Sequence, residues 1–439
     1  MEISNYLSKL GIEVLNEMQT KSFDIIAHTN KDVVILSPTG SGKTLAYLLP
    51  LIDLLNPALD EIQAVVIVPG RELALQSSEL LKQMGTALRS CACYGGRMTM
   101  EEHRIIKNVL PHVIFATPGR LNDHLDKGNI IPEGIRYLVI DEFDKCLQMG
   151  FEKEMNAILV KLSHIKKRIL LSATDAELIP NFVNLGHAEK INYVDERTPV
   201  SDRVNVYQVS SPVKDKLQTL SDILCSLEDE RTLVFLNYRE SVERTAQYLQ
   251  DAGFSISMFH GGLDQKMREH SLYKFANGSA NILVSTDLAS RGLDISGIKN
   301  IIHYHLPENE DVYIHRVGRT ARWEATGKAF FIFGPEEHLP DYIHEEVAKL
   351  VLPTHLPAPA LPKMCTLYIG KGKKDKLSKG DIVGFLCKNA RIEGNAIGRI
   401  DVKERYTYVA VDRKVVQQVL QRVAGQKIKG VKTVVELVK

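Results

Sequence analysis

The sequence predicts an α/β protein with two tandem parallel-sheet domains and a small C-terminal α+β domain. Three observations carry this. Short apolar runs alternate with helical segments from residue 33 to residue 333, the rhythm of parallel sheets covered on both faces. Residues 353–362 hold four prolines in ten positions and cannot continue either pattern. The remaining stretch reads strand, helix, strand, strand, helix, strand, the split β-α-β-β-α-β arrangement. A chain of 439 residues is too long for one ordinary core, so several domains are expected. The expected boundaries are 1–197, 198–352, a spacer over 353–362, and 363–439.

The first 30 residues carry a helical pattern broken near Gly11. Strands are then expected at 33–36, 64–68, 113–116, 137–140 and 168–172, with helices such as 71–84 and 100–108 between them. Residues 195–211 read as a polar connector. Alternation restarts with strands at 232–236, 255–259, 281–285, 300–305 and 329–333 and helices at 239–252 and 266–276. The terminal module gives strands at 366–369, 396–402, 406–411 and 433–438 and helices at 379–386 and 414–423.

Apolar residues at 44% and charged residues at 25% are the proportions of a water-soluble globular chain, and the apolar runs fall short of a membrane span. Six cysteines without a Cys-x-x-Cys spacing argue against a zinc or disulfide framework, and a reducing, cytoplasmic setting is expected. The net charge of +1 hides an asymmetry. Residues 363–439 hold 18 Lys+Arg against 7 Asp+Glu, a net of +11, while the rest of the chain holds 37 against 47, a net of −10. A basic module on an acidic body suits either a polyanionic partner or a solvated lysine-rich face.

The chemistry begins at Ser37-Pro38-Thr39-Gly40-Ser41-Gly42-Lys43-Thr44, between an apolar strand and a helix. Glycines let backbone N–H groups turn onto phosphate oxygens, and the helix start adds its dipole. Lys43 reaches the β- and γ-phosphates in such a loop and the Thr44 hydroxyl ligates Mg2+, although Ser37 stands where the general pattern has glycine. A second acidic element is needed for hydrolysis. The apolar run 138–140 leads into Asp141-Glu142-Phe143-Asp144, which puts two carboxylates at the carboxyl end of a strand. Asp141 suits Mg2+, partly through water, and Glu142 suits the attacking water.

These residues resemble the signature of the DEAD-box RNA helicases, with Phe143 where alanine is usual. Further blocks follow in the family's order: Pro69-Gly70-Arg71-Glu72-Leu73-Ala74, Gly95-Gly96, Thr117-Pro118-Gly119-Arg120 and Ser172-Ala173-Thr174. The second domain adds Gln265-Lys266-Met267-Arg268, Ser290-Arg291-Gly292-Leu293-Asp294 and His315-Arg316-Val317-Gly318-Arg319-Thr320-Ala321-Arg322. The resemblance covers about residues 12 to 350 and implies two RecA-like domains that bind ATP with Mg2+ and close on RNA. It implies that Arg319 and Arg322 reach the γ-phosphate, that Gln19 reads adenine and that Asp294 contacts the ribose. Thr39, Gly40, Ser41 and Gly42 complete the nucleotide loop. It further implies RNA contacts from Arg71, Gly96, Thr117, Gly119, Arg120, Arg268 and Thr286. Ser172, Thr174, Asp144, His315 and Arg291 would couple the nucleotide to the RNA face.

Residues 363–439 resemble the RNA-binding domain of the DbpA subgroup, an RRM-like fold, through Gly370-Lys371-Gly372-Lys373-Lys374-Asp375-Lys376, Gly380-Asp381-Ile382-Val383-Gly384 and Ile397-Gly398-Arg399-Ile400. That resemblance implies a hairpin of the large ribosomal RNA as target, within a pre-ribosomal particle during ribosome assembly. Lys371, Lys373 and Lys374 are candidate phosphate contacts. Tyr406 and Tyr408 lie on one strand face, suited equally to base stacking and to ordinary sheet packing. The expected activity is RNA-stimulated ATP hydrolysis with local strand separation by a monomer. The alternative is an ATP-gated RNA clamp that does not unwind.

Overall fold

The computed structural model describes residues 3–38, 40–96, 98–174, 179–194, 204–290, 297–320 and 326–438. The chain divides into two units at the junction of residues 199 and 200. In the first, seven parallel strands form one sheet: β1 (Asp32–Leu36), β2 (Ala64–Ile67), β3 (Ser90–Cys93), β4 (Val113–Ala116), β5 (Tyr137–Ile140), β6 (Lys167–Ser172) and β7 (Ala188–Asn192). Their order across the sheet is β3-β4-β2-β5-β6-β1-β7. The pleat divides each strand between two cores. Val33 and Ile35 enter one with Tyr47, Val66 and Leu171, while Val34 and Leu36 enter the other with Ile67, Ile140 and Leu170. This two-sided burial is why the strands read as unbroken Val/Ile/Leu runs, each fully buried aliphatic side chain contributing roughly 1.5–3 kcal/mol.

The second unit holds two sheets. The parallel one contains β8 (Val204–Ser210), β9 (Thr232–Phe235), β10 (Ile256–Phe259), β11 (Ile282–Ser285), β12 (Asn300–His303), β13 (Gly327–Phe333) and β14 (Val347–Lys349), in the order β10-β11-β9-β12-β13-β8-β14. The antiparallel sheet of the module contains β15 (Met364–Ile369), β16 (Ile397–Val402), β17 (Thr407–Asp412) and, after a small hairpin of β18 (Lys427–Ile428) and β19 (Val431–Lys432), β20 (Val435–Leu437). Its order is β16-β17-β15-β20, with helices Lys379–Phe385 and Val416–Val423 on one face.

The expected fold class holds, with one correction. Residues 204–210, read as connector, form β8, paired in register with β13 from Val204–Gly327 to Ser210–Phe333. Val204, Val206 and Val209 are buried, but Asn205 and Gln208 between them and Ser210 after them masked the strand signal. Edge strands β7 and β14 were also unanticipated, because their residues are mostly polar or exposed. Among the described residues no helix is long and apolar enough to cross a membrane.

Candidate nucleotide and RNA site

β1 delivers the glycine-rich loop at its carboxyl end. Gly40 and Gly42 have φ of +83° and +84°, in the left-handed region that glycine tolerates. At Gly42 space reinforces conformation, since a Cβ would lie 2.3 Å from Gln19 Nε2. The loop is cross-braced: Ser37 Oγ donates to Ser41 Oγ at 2.7 Å and Ser41 Oγ meets the Pro38 carbonyl at 2.8 Å. The buried Lys43 ammonium donates to the Ser37 carbonyl at 2.6 Å. Thr44 follows it in helix Lys43–Leu54.

Gln19 sits in helix Glu17–His28, whose cap is a reciprocal pair. Asn16 Oδ1 accepts from Gln19 N at 2.8 Å and Gln19 Oε1 accepts from Asn16 N at 3.0 Å. Gln19 Nε2 also donates to the Gly42 carbonyl at 3.2 Å, and Asn16 Nδ2 to the Ser41 carbonyl at 2.9 Å. A primary amide has two N–H groups and two lone pairs, so these bonds leave one of each for an adenine edge.

β5 ends at Ile140, and Asp141 and Glu142 follow at the same sheet edge. Asp141 accepts from Glu142 N at 2.9 Å. Its burial, and next the charge of Glu142, raise its pKa from 3.8 to about 7, against the pull of Lys43. Glu142 has φ of +52°, an uncommon conformation for a non-glycine residue that turns the chain into helix Phe143–Gln148. Phe143 is 1% exposed and packs with Cys146, Met155, Ile158 and Val183, so the aromatic ring serves the core beneath the carboxylates. Two hard oxygen donors, the Thr44 hydroxyl and a carboxylate whose burial disfavours its charge, fit Mg2+, which would supply that missing compensation.

Thr174 Oγ1 donates to Asp144 Oδ2 at 3.3 Å, and Ser172 Oγ donates to the Thr174 carbonyl at 2.6 Å. The acidic turn after β5 is thereby joined to the turn after β6.

The residues expected on RNA occupy the other half of the same edge. Arg71 opens helix Arg71–Gln83 after β2, Gly95-Gly96 follows β3, and Thr117, Gly119 and Arg120 follow β4. Gly96 has φ of +95°, and a Cβ there would lie 2.5 Å from Arg71 Nη1, so glycine lets the guanidinium lie flat on the turn. Arg120 donates to Thr99 Oγ1 at 2.7 Å and pairs with Glu102 at 3.5 Å. Glu102 is buried, accepts from Tyr94 N at 3.0 Å and contacts His124 Nε2 at 3.0 Å. Glu102 and His124 are thus positioning residues that sequence reading missed. The available signal was a lone carboxylate on the buried face of helix Thr99–Val109.

In the second unit, Arg268 is 5% exposed; it donates to the Gly261 carbonyl at 3.1 Å and lies over the Phe259 ring. Thr286 N donates to the Phe259 carbonyl at 3.3 Å. Arg316 is fully buried, bidentate on Asp287 at 2.5 and 3.0 Å, and also bonded to Asn237 and the His305 carbonyl. It ties three turns together; Arg319, three positions on, is 5% exposed and the adjacent His315 is 2% exposed. Thr39, Arg291, Asp294 and Arg322 lie outside the described residues.

In the module, Lys373 and Lys374 are exposed, while Lys371 pairs with Asp375 at 3.1 Å. Gly372 brings this loop against the turn after β16, where a Cβ would lie 2.2 Å from the Lys403 carbonyl. Tyr406 and Tyr408 face helix Gln265–Ala276, which carries Arg268. Tyr408 is 1% exposed and stacks on Tyr273 at 4.6 Å, with His270 edge-on at 5.1 Å. The Tyr406 hydroxyl donates to Glu269, Tyr273 donates to the Tyr408 carbonyl at 3.1 Å, and Asn277 donates to Thr366 at 2.8 Å. Of the two roles open to these tyrosines, this structure displays packing, against another domain rather than within the sheet.

A phosphate loop and an acidic turn on one parallel edge, with a second sheet of the same strand order, define a nucleotide-driven motor core carrying a basic α+β module. Comparison with known proteins gives the family. The DEAD/DEAH box helicase profile matches residues 16–179, the helicase conserved C-terminal domain matches 215–324, and the DbpA RNA binding domain matches 366–437. The ATP-dependent RNA helicase DbpA of Escherichia coli is 33% identical over 447 residues, covering 99% of this chain and 96% of that protein. The DEAD-box helicase CshA of Geobacillus kaustophilus is 34% identical over 342 residues, 76% of this chain and 72% of that protein. Among solved structures, Saccharomyces cerevisiae Dbp5 bound to RNA and ADP BeF3 shares the fold, with a TM-score of 0.71 at 22% identity, covering 80% of this chain and 94% of that one. The chain belongs to the DEAD-box ATP-dependent RNA helicases, in the branch that carries a DbpA RNA-binding domain.

Proposed function

We propose that this helicase remodels a hairpin of large-subunit ribosomal RNA within a pre-ribosomal particle, as a cytoplasmic monomer that hydrolyses ATP with Mg2+. Lys43 and the N–H groups of residues 39–42 hold the phosphates, and Gln19 orients adenine with its remaining donor and acceptor. Thr44 and Asp141 hold Mg2+, which when bound neutralises charge on the phosphate oxygens. Glu142 polarises the attacking water, and Arg319 and Arg322 stabilise the transferring phosphate, a role worth about 10³–10⁵ in rate where arginine acts as a finger. Asp294 contacts the ribose. Arg71, Gly96, Thr117, Gly119, Arg120, Arg268 and Thr286 grip the RNA backbone without reading sequence.

Domains spanning 1–197, 198–352 and 363–439 divide the work, and Lys371, Lys373 and Lys374 tether the structured RNA. The observation that carries this reading is the shared edge of the first sheet. Nucleotide residues follow β1, β5 and β6, RNA residues follow β2, β3 and β4, and the Thr174–Asp144 bond lies on the nucleotide side. RNA-stimulated ATP hydrolysis by the purified chain is the test, with Glu142→Gln expected to lower the rate at least about 100-fold. Equal rates for the two proteins would sink the assignment.

A further inference from the structure

The parallel sheet of the second unit repeats the strand order of the first position for position, and β8 takes the place of β1. The loops leaving these strands begin alike. Ser37-Pro38 follows Leu36 and Ser211-Pro212 follows Ser210. Each serine N–H donates to the last residue of the adjoining strand, Ser37 to the Ser172 carbonyl at 3.0 Å and Ser211 to the Phe333 carbonyl at 2.7 Å. Each loop then delivers a buried lysine to a helix start, Lys43 at helix Lys43–Leu54 and Lys216 just before helix Leu217–Ser226. Beside Lys216 the structure has a cavity of about 320 Å³ at the carboxyl edge of the sheet, where such folds receive ligands.

Its lining departs from the first site in two ways that define a different ligand. No glycine occurs between Ser211 and Lys216, so side chains rather than loop N–H groups supply the positive charge, Lys214, Lys216 and Arg244, set against the lining carboxylates Asp215, Glu336 and Glu337. After β12 stand Tyr304 and His305, where Asp141 and Glu142 follow β5, so the carboxylate pair that suits a metal is replaced by an aromatic pair. Glu337 reaches in from the turn after β13. Its carboxylate accepts from Lys216 Nζ and from Gly334 N, both at 2.7 Å. A phosphate oxygen would take the same two donors, a lysine ammonium and a backbone N–H. Two of the charges are already matched at the rim, where Arg244 pairs with Asp215 and both side chains are largely exposed. Lys214 makes no ion pair among the described residues.

We propose that this cavity is a second ligand site, for a small organic monophosphate bound without a metal ion. Lys214, Lys216 and Arg244 take the phosphate and the Tyr304 ring takes the organic part. Glu337 swings out as the ligand enters; its side chain is 37% exposed and hangs on a surface turn. Glu337 is therefore an internal competitor that sets the affinity.

The test is equilibrium dialysis of the full-length protein against adenosine monophosphate in excess EDTA. Lys43→Ala, which weakens adenosine monophosphate binding at the first site, should retain the binding at this cavity, in which that lysine plays no part. Lys214→Ala and Arg244→Ala, both at the rim and safe for folding, should each weaken binding about tenfold, the scale of one charge-assisted hydrogen bond. Glu337→Gln should strengthen it by about the same factor, because the competing charge is gone. Inorganic phosphate should bind more weakly than the nucleotide. The proposal is overturned if wild type does not bind, if binding appears only in Glu337→Gln, or if Lys43→Ala alone abolishes it. Inorganic phosphate binding as tightly as the nucleotide would overturn the role given to Tyr304.

Discussion

Asp141 shows how far its surroundings can shape a single carboxyl group. Burial and then the Glu142 charge raise its pKa to about 7, so the folded protein favours the neutral acid. The sign for stability follows. A group whose folded pKa exceeds its unfolded value of 3.8 contributes stability that is complete below that value and is lost as pH rises through about 7. Without nucleotide or Mg2+, Asp141→Asn should therefore melt at a higher temperature than wild type at pH 8 and at the same temperature near pH 4, while ATP hydrolysis is lost. A lower melting temperature at pH 8 would contradict this account. Arg316 makes the complementary point about what residue type conceals. It sits three positions from Arg319 and carries the same group, yet is fully buried on Asp287, Asn237 and the His305 carbonyl. The sequence reading grouped it with its neighbours because charge is visible in a sequence and burial of charge is not.

Among elements, a hydrogen bond from Thr174 to Asp144 joins the turns after β5 and β6. At 3.3 Å this is a long O–H···O bond, worth about 1–1.5 kcal/mol. Thr174→Val keeps the volume and removes the donor. ATP hydrolysis should stay within about threefold of wild type while strand displacement on a short duplex falls about tenfold, one bond's worth. Equal losses in both assays would show that the bond serves hydrolysis alone. Helix Gln265–Ala276 joins elements on a larger scale, because it carries Arg268 and also holds the tyrosine face of the module. Tyr408→Ala removes a ring with 1% exposure, and truncations of buried aromatics cost about 3–5 kcal/mol. Proteolysis of the spacer at 353–362 should accelerate, with ATP hydrolysis by the core retained. The strand carrying Tyr408 was legible from its alternation, since Tyr406 and Tyr408 share a face. What covers that face was not, because helix Gln265–Ala276 lies 135 residues away in the chain for the Tyr273–Tyr408 contact. β8 escaped for a different reason. Its buried valines are interspersed with polar, partly exposed residues, so no continuous apolar run marks it. The phosphate loop and acidic turn were plain because each is local: a buried strand, a fixed short spacing, and residues with few other uses.

For the whole molecule, charge is divided between a body of net −10 and a module of net +11. Binding to a polyanion should depend on the module and fall steeply with salt. Lys373 and Lys374 are exposed, and each phosphate contact released contributes about 0.7 to the slope of log K against log salt for single strands. Replacing both with alanine should flatten that slope by about 1.4 and weaken binding to all sequences alike. An unchanged slope would place the contacts elsewhere on the module.

The first sheet has one more consequence. β2 and β5 are adjacent and paired in register from Ala64–Tyr137 to Ile67–Ile140, so the turn bearing Arg71 and the turn bearing Asp141 leave the same edge, held by one row of backbone bonds. Neighbouring strands in such a row stay about 4.8 Å apart. The two sites on this plank cannot approach or separate. Within this domain, then, arrival of one ligand cannot be announced to the other by travel. It has to be announced by a change in the turns that project from the plank.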